Sequence, residues 1–311
     1  MEFAFILLAF ICGLALKLVG LPPLIGYLIA GFTLNYLGFH STDALQTIAN
    51  LGITLMLFTI GLKLNVGDLY KKEVWLGSVF HSVIWVTLIN LLLFLVSWLG
   101  LAAFTNLDGS TQALIAFSLS FSSTVCIVKI LEESGEIKTR HGKLAIGVLI
   151  IQDIVAVLFL VIATGKVPSI WALLLLLLFF TKPIWSMILV RVGHGELLIL
   201  SGFMFALGGY ELFEALGIKG DLGALIIGMF IATHVKSVEM SKALMNFKDM
   251  FLVGFFLTIG FSALPNLDLI FTAIILCLFI PIKFVLFFSL FTFFKLRART
   301  SYLASLVLSN Y

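Results

Sequence analysis

Apolar residues run along this chain in stretches of about 20, the length that crosses a bilayer as a helix, and the polar residues gather between them. The stretches fall at about 2–18, 23–38, 47–63, 74–104, 111–131, 143–164, 168–190, 196–217, 221–235, 247–264, 267–294 and 301–311. The pattern predicts eleven membrane-spanning helices and the start of a twelfth. The seventh is interrupted by Lys182-Pro183, so it is predicted to end near Thr181 and to continue as an interfacial helix. Membrane barrels alternate polar and apolar residues instead. The expected fold class is therefore all-α, a polytopic membrane helix bundle.

Composition agrees with this pattern. Of the 311 residues 61% are hydrophobic and 11% charged, and the mean hydropathy is +1.19. A soluble domain carries about 25% charged residues. There is too little charge here to cover a water-facing surface, so lipid is the surrounding medium, and one transmembrane domain over 1–311 is expected. The net charge of +3 gives no sign of a nucleic-acid partner. Cys12, Cys126 and Cys277 are too scattered for a metal cluster or a disulfide framework. Met1-Glu2-Phe3 lacks the basic n-region of a signal peptide, so the first helix is expected to be retained.

The basic residues test the helix assignment. Loops after odd-numbered spans hold Lys17, then Lys63, Lys71 and Lys72, then Lys129, Lys138, Arg140 and Lys143, then Arg191, then Lys236, Lys242 and Lys248, and last Lys295, Arg297 and Arg299. Loops after even-numbered spans hold only Lys166 and Lys219. The positive-inside rule then puts the N-terminus outside and the basic loops in the cytoplasm.

An internal echo appears as well. Ile25-Gly26-Tyr27-Leu28-Ile29-Ala30-Gly31 in span 2 is similar to Leu222-Gly223-Ala224-Leu225-Ile226-Ile227-Gly228 in span 9. Thr59-Ile60-Gly61 in span 3 recurs as Thr258-Ile259-Gly260 in span 10. The offsets agree, 222 − 25 = 197 and 258 − 59 = 199. Equivalent spans cross in opposite directions, which predicts an inverted repeat, with the first half at about 1–164 and the second, incomplete, at about 196–311. Small residues that let helices pack would leave a similar trace.

Asp153 carries the sharpest chemical signal. It lies ten residues beyond Lys143, the basic edge, roughly 15 Å at 1.5 Å per residue and so near the bilayer midplane. A carboxylate there is costly, by about 3 kcal/mol or more, and usually faces a cavity with a function. It can hold a proton or a metal ion, each excluding the other. Gln152 precedes it and can offer a carbonyl oxygen to a dehydrated cation, or serve as a bond between helices. Lys283 lies at a similar depth, twelve residues from Lys295, and is expected to face Asp153 as its counter-charge. Ser118, Ser120, Ser122, Ser123 and Thr124 crowd span 5, where hydroxyls can satisfy a backbone freed by unwinding. Glu211 and Glu214 are expected at the outer interface. His40, His81, His141, His194 and His234 are expected near span ends or in loops, His141 as a solvated loop side chain.

Pro23-Leu24-Ile25-Gly26-Tyr27-Leu28-Ile29-Ala30-Gly31, Leu51-Gly52-Ile53-Thr54-Leu55-Met56-Leu57-Phe58-Thr59-Ile60-Gly61-Leu62, Ser122-Ser123-Thr124 and Gln152-Asp153 together resemble the membrane domain of Kef-type sodium/potassium–proton exchangers, within the monovalent cation:proton antiporter superfamily. The resemblance covers nearly the whole chain. It implies two broken helices crossing beside the ion-carrying aspartate, a dimerisation domain that makes the protein a homodimer, and alternating access in a cell (inner) membrane. It gives Asp153 the proton or the cation, K+ or Na+, with Gln152, Ser122, Ser123 and Thr124 around it and Lys283 as the core lysine. The segment 303–311 resembles the first half of the second broken helix, which suggests a truncated domain. No GxGxxG motif follows a strand, so ligand gating of the Kef type does not carry over.

Other readings use the same residues. A cation-coupled solute symporter would need a larger polar cavity, and a non-transporting sensor or fragment would need none. No His-Glu-x-x-His, Gly-x-Ser-x-Gly or paired aspartates occur in the spans, so no enzyme and no cofactor are expected.

Overall fold

The computed structural model describes residues 3–64, 66–98, 109–164, 181–262, 264 and 266–310, and every regular element among them is helical. In chain order these are α1 (Phe3–Leu18), α2 (Pro23–Tyr36), α3 (Asp43–Gly61), α4 (Val66–Leu69), α5 (Lys72–Trp98), α6 (Gly109–Ser118), α7 (Thr124–Glu133), α8 (Arg140–Thr164), α9 (Lys182–Val192), α10 (Glu196–Ala215), α11 (Gly220–Ile231), α12 (Ser237–Ser262), α13 (Leu267–Phe293) and α14 (Ala298–Leu308). The predicted apolar segments fall on these helices, with three exceptions. α12 starts ten residues before the predicted 247, so Lys242 and Lys248, expected in a loop, lie within it. The stretch 111–131 is divided between α6 and α7. The first part of the seventh segment, 168–180, lies outside the described residues, as do 99–104 and Lys166. Lys182-Pro183 opens α9, where a proline in the first turn removes only an N–H that has no helical partner. Among the described residues five helical stretches are long and apolar enough to cross a membrane: Asp43–Gly61, Lys72–Leu92, Glu196–Ala215, Ser237–Ser262 and Ile274–Phe293.

The chain forms two compact units. The first comprises Met1–Leu64 and Val167–Thr272, the second Asn65–Lys166 and Ala273–Tyr311.

Within the first unit α1 packs on α2 and α10 on α11, while α2 packs on α12 and α11 on α3. These pairings correspond under the offset read from the sequence, and the correspondence reaches single atoms. Gly20 (φ 84°) follows the end of α1 and Gly217 (φ 74°) that of α10. Only glycine enters this left-handed region without a Cβ penalty. In both turns the next amide reaches back to close the helix end, Leu21 N to Leu16 O and Ile218 N to Phe213 O, each at 3.0 Å. Adding 197 to the first pair gives the second. A methyl built on Gly31 would lie 2.9 Å from Gly260 Cα, and one on Gly228 would lie 3.0 Å from Gly61 Cα. The two crossings exchange under the same offsets, 31 + 197 = 228 and 260 − 199 = 61. Small residues therefore let two pairs of backbones touch, as helices in lipid require. Around them Leu55, Phe58, Phe205, Ile227 and Leu244 form one apolar core, and Phe5, Leu34, Leu45 and Leu257 another.

In the second unit α5 packs on α8 and α6, and α8 also receives α7 and α14. Gly147 brings α8 close to α5, since a methyl there would meet Val74 Cγ1 at 2.9 Å. Trp85, Ile89 and Ala116 are buried against Leu119, Phe279 and Leu286. His81 departs from the sequence expectation. It stands more than two turns inside α5, fully buried, with its ring stacked on Phe287 at 3.6 Å. The expectation failed because His81 was judged by its closeness to the basic edge, whereas the helix face decides burial.

Candidate functional site

The second unit holds a helix that breaks in the membrane segment. α6 stops at Ser118 and α7 begins at Thr124, with 119–123 outside the helices. Serine side chains offer the backbone other partners and so help to end a helix. Ser118 Oγ donates to Leu114 O at 2.8 Å and Ser120 Oγ to Phe117 O at 2.7 Å. Ser123 caps the new helix, its Oγ accepting from Cys126 N at 3.4 Å. Without water, the backbone groups freed by the break need partners from the protein.

Gln152 on α8 supplies two. Its Oε1 accepts from Ser122 N and its Nε2 donates to Ser120 O, both at 3.3 Å. The amide, 1% exposed, stands in for a strand neighbour to the broken segment. The sequence offered two roles for Gln152, cation ligand or bond between helices. The second is realised in these contacts, and the second lone pair of Oε1 leaves the first possible. Asp153 follows on the same turn of α8 and is half-buried.

Lys283, fully buried on α13, gathers carbonyls. Its Nζ donates to Phe121 O at 2.6 Å and to Asn310 O at 2.7 Å, with Leu119 O at 3.5 Å. It therefore sits where α6 and α14 both end, at the negative poles of two helices, which favours a cation. Its Nζ also lies 6.0 Å from the centre of the Trp85 ring. Sequence reading sets Lys283 opposite Asp153 and names no carbonyl, because it does not show where other helices end.

Asn310 and Leu308 are the functional residues that sequence reasoning missed. Asn310 Oδ1 accepts from Ser123 N at 3.2 Å, and Ser122 Oγ donates to Leu308 O at 2.5 Å. The end of α14 is thereby tied to the break between α6 and α7. The likeness of 303–311 to a half-helix was the available signal, although it named no side chain. The geometry thus brings Ser122, Ser123, Gln152, Lys283 and Asn310 into one hydrogen-bonded set. Thr124 opens α7 beside it.

Of two outlying residues, Glu214 is exposed, as expected, and His141 is not. Glu214 is a cap, its Oε2 accepting from Gly220 N at 3.2 Å at the start of α11. His141 is buried rather than solvated, with Nε2 3.2 Å from Glu136 Oε2. The turn between α7 and α8 folds over it. Among the described residues no group of three His, Cys, Asp or Glu side chains could hold a metal ion.

Discontinuous helices at membrane depth form the ion sites of many secondary transporters. The family profile described as "Sodium/hydrogen exchanger, transmembrane" matches residues 6–310. The chain belongs to the sodium/hydrogen exchanger family. It is a polytopic helical membrane protein of the monovalent cation:proton antiporter superfamily. It is 29% identical over 287 residues to YbaL of Escherichia coli (strain K12), which carries the name of a cation/proton antiporter; the match covers 82% of the chain and 50% of YbaL. It is 26% identical over 298 residues to the chloroplastic K(+) efflux antiporter 1 of Arabidopsis thaliana, covering 86% of the chain and 24% of that protein. It is also 26% identical over 273 residues to the iron transporter MagA of Paramagnetospirillum magneticum (strain ATCC 700264 / AMB-1), covering 82% and 61%. The matched part of the chain thus spans less than two thirds of the length of each of these relatives.

Proposed function

We propose that the chain is a secondary antiporter that exchanges a monovalent cation, K+ or Na+, for protons by alternating access. Asp153 holds a proton and a cation in turn. Gln152, Ser122, Ser123 and Thr124 supply neutral oxygens, and Lys283 supplies the counter-charge. The transport domain covers 1–311 as two inverted repeats, about 1–164 and 196–311. It sits in the cell membrane as a homodimer, N-terminus outside.

One observation carries this reading: the aspartate directly follows Gln152, the residue that closes the helix break. A dehydrated cation needs oxygens whose desolvation is already met, and a broken helix held by side chains offers them. A carboxylate at that point changes charge as it exchanges H+ for metal, which makes the two ions compete. The names of the YbaL and Arabidopsis relatives support cation–proton exchange. The iron in the name of the third makes Fe2+ the appropriate control cation.

The test uses proteoliposomes with a pH-sensitive dye inside. K+ or Na+ added outside is expected to drive proton flux in the unaltered protein and none in Asp153→Asn. Flux that survives in Asp153→Asn removes Asp153 from its role. Flux that depends on an added organic solute replaces exchange with symport.

A further inference from the structure

We infer that a recess among the starts of α5, α8 and α14 binds a phosphate-bearing anion. Lys71, Arg140 and Lys143 line it, together with Glu73 and Thr300. Three cations and one carboxylate leave a formal charge of +2 around a volume of about 40 Å³. That volume has room for about three waters, which is close to the oxygens of one phosphate and too little for a nucleoside. An anion in the recess is attracted by this excess of positive charge.

The backbone points to the same sign of ligand. α5 begins at Lys72, α8 at Arg140 and α14 at Ala298, so three helices present their positive ends here. Arg297, which precedes α14, provides no side-chain cap. Thr300, in the first turn of α14, brings a hydroxyl. Arg140 offers the planar fork that matches two phosphate oxygens, and Lys71 and Lys143 act as point charges.

The recess is separate from the Asp153 site yet built on the same helices. α8 carries Gln152 and Asp153 further along, and the end of α14 holds Ser122, Ser123 and Lys283 through Leu308 and Asn310. An anion seated at the starts of α5, α8 and α14 joins the helices that frame the break. The ligand comes from an anionic lipid headgroup or from free phosphate, and both share this chemistry.

The test compares the purified chain with R140Q/K143Q and with R191Q/K242Q, whose changes remove two basic residues outside the recess. Retention of phosphatidylglycerol over phosphatidylcholine is read by native mass spectrometry. The shift of thermal midpoint with inorganic phosphate is read in detergent. The unaltered protein and R191Q/K242Q are expected to show a saturable preference for one of the two anions. R140Q/K143Q is expected to bind that anion at least tenfold more weakly. Phosphatidylglycerol alone identifies the lipid, and a phosphate-driven shift identifies the free anion. No preference for either anion overturns the site. So does equal loss in both double variants, which would mean general surface charge. If R140Q/K143Q fails to fold, K71Q is read by the same criteria.

Discussion

Gln152 completes the backbone of Ser122: its Oε1 accepts the Ser122 N–H at 3.3 Å, and its Nε2 donates to Ser120 O at the same distance. A side-chain amide thus fills the position of a missing peptide group. Gln152→Leu would keep the volume and strand both partners. A buried donor or acceptor left without a bond costs about 1–3 kcal/mol. The thermal midpoint of purified Gln152→Leu in detergent is expected to fall by several degrees. Gln152→Glu, which cannot donate to Ser120 O when ionised, is expected to fall as well. An unchanged midpoint in both would mean that the break holds itself together.

Lys283 is expected to matter more for stability than Gln152. Its ammonium serves carbonyls from two helix ends, and hydrogen bonds to a charged group contribute about 1.5–3 kcal/mol each. Lys283→Met keeps the apolar stem and removes the donors. It should lower the midpoint further than Gln152→Leu and expose the end of α14 to limited proteolysis. If Lys283→Met proves as stable as the parent, the carbonyl contacts at 2.6 Å and 2.7 Å contribute little.

Much of this was legible in the sequence, for physical reasons that also set the limit. The helices could be read because lipid forces backbone groups to pair within each apolar run. The placing of Asp153 and Lys283 well inside helices could be read because they fall within long apolar runs. The break at 119–123 showed as a crowd of hydroxyls, but its closure by Gln152 and Asn310 did not. Those bonds join residues 30 and 187 positions apart, and no local pattern records them. The hydrogen-bond partners of Lys283 were similarly beyond reach. A sequence shows that Lys283 lies inside an apolar run, while its carbonyl partners depend on where two other helices stop. The recess around Arg140 was hidden for a related reason, since the positive-inside rule already explained each basic residue singly.

His81 gives a contrast to Lys283. Both are fully buried, but neither His81 ring nitrogen has a hydrogen-bond partner among the described residues. The ring is held by stacking on Phe287, with planes only 5° apart. Replacing an unpartnered polar group by an apolar one of similar shape can be neutral or stabilising. His81→Phe is therefore expected to hold or raise the thermal midpoint, while Lys283→Met lowers it. A drop of several degrees in His81→Phe would show that the imidazole nitrogens are bound by something that phenylalanine cannot replace.

The paired glycines of the first unit make a prediction of sign as well as size. An alanine methyl at Gly31 would lie 2.5 Å from Leu257 O and 2.9 Å from Gly260 Cα, so the obstacle is backbone and cannot rotate away. At Gly228 the methyl would meet Gly61 Cα at 3.0 Å and Leu62 N at 3.1 Å. Overpacking of this kind costs about 1–3 kcal/mol. Gly31→Ala and Gly228→Ala should therefore destabilise by similar amounts, because each methyl meets the backbone of a facing glycine at about the same distance. Gly208, in the middle of α10, has nothing within 4 Å of such a methyl. There alanine only restricts the unfolded chain and suits the helix, a gain of about 0.5–1 kcal/mol. Thermal midpoints should thus move down for Gly31→Ala and Gly228→Ala and up for Gly208→Ala. A common direction for all three would mean that helix propensity, and not the contact between backbones, governs these positions.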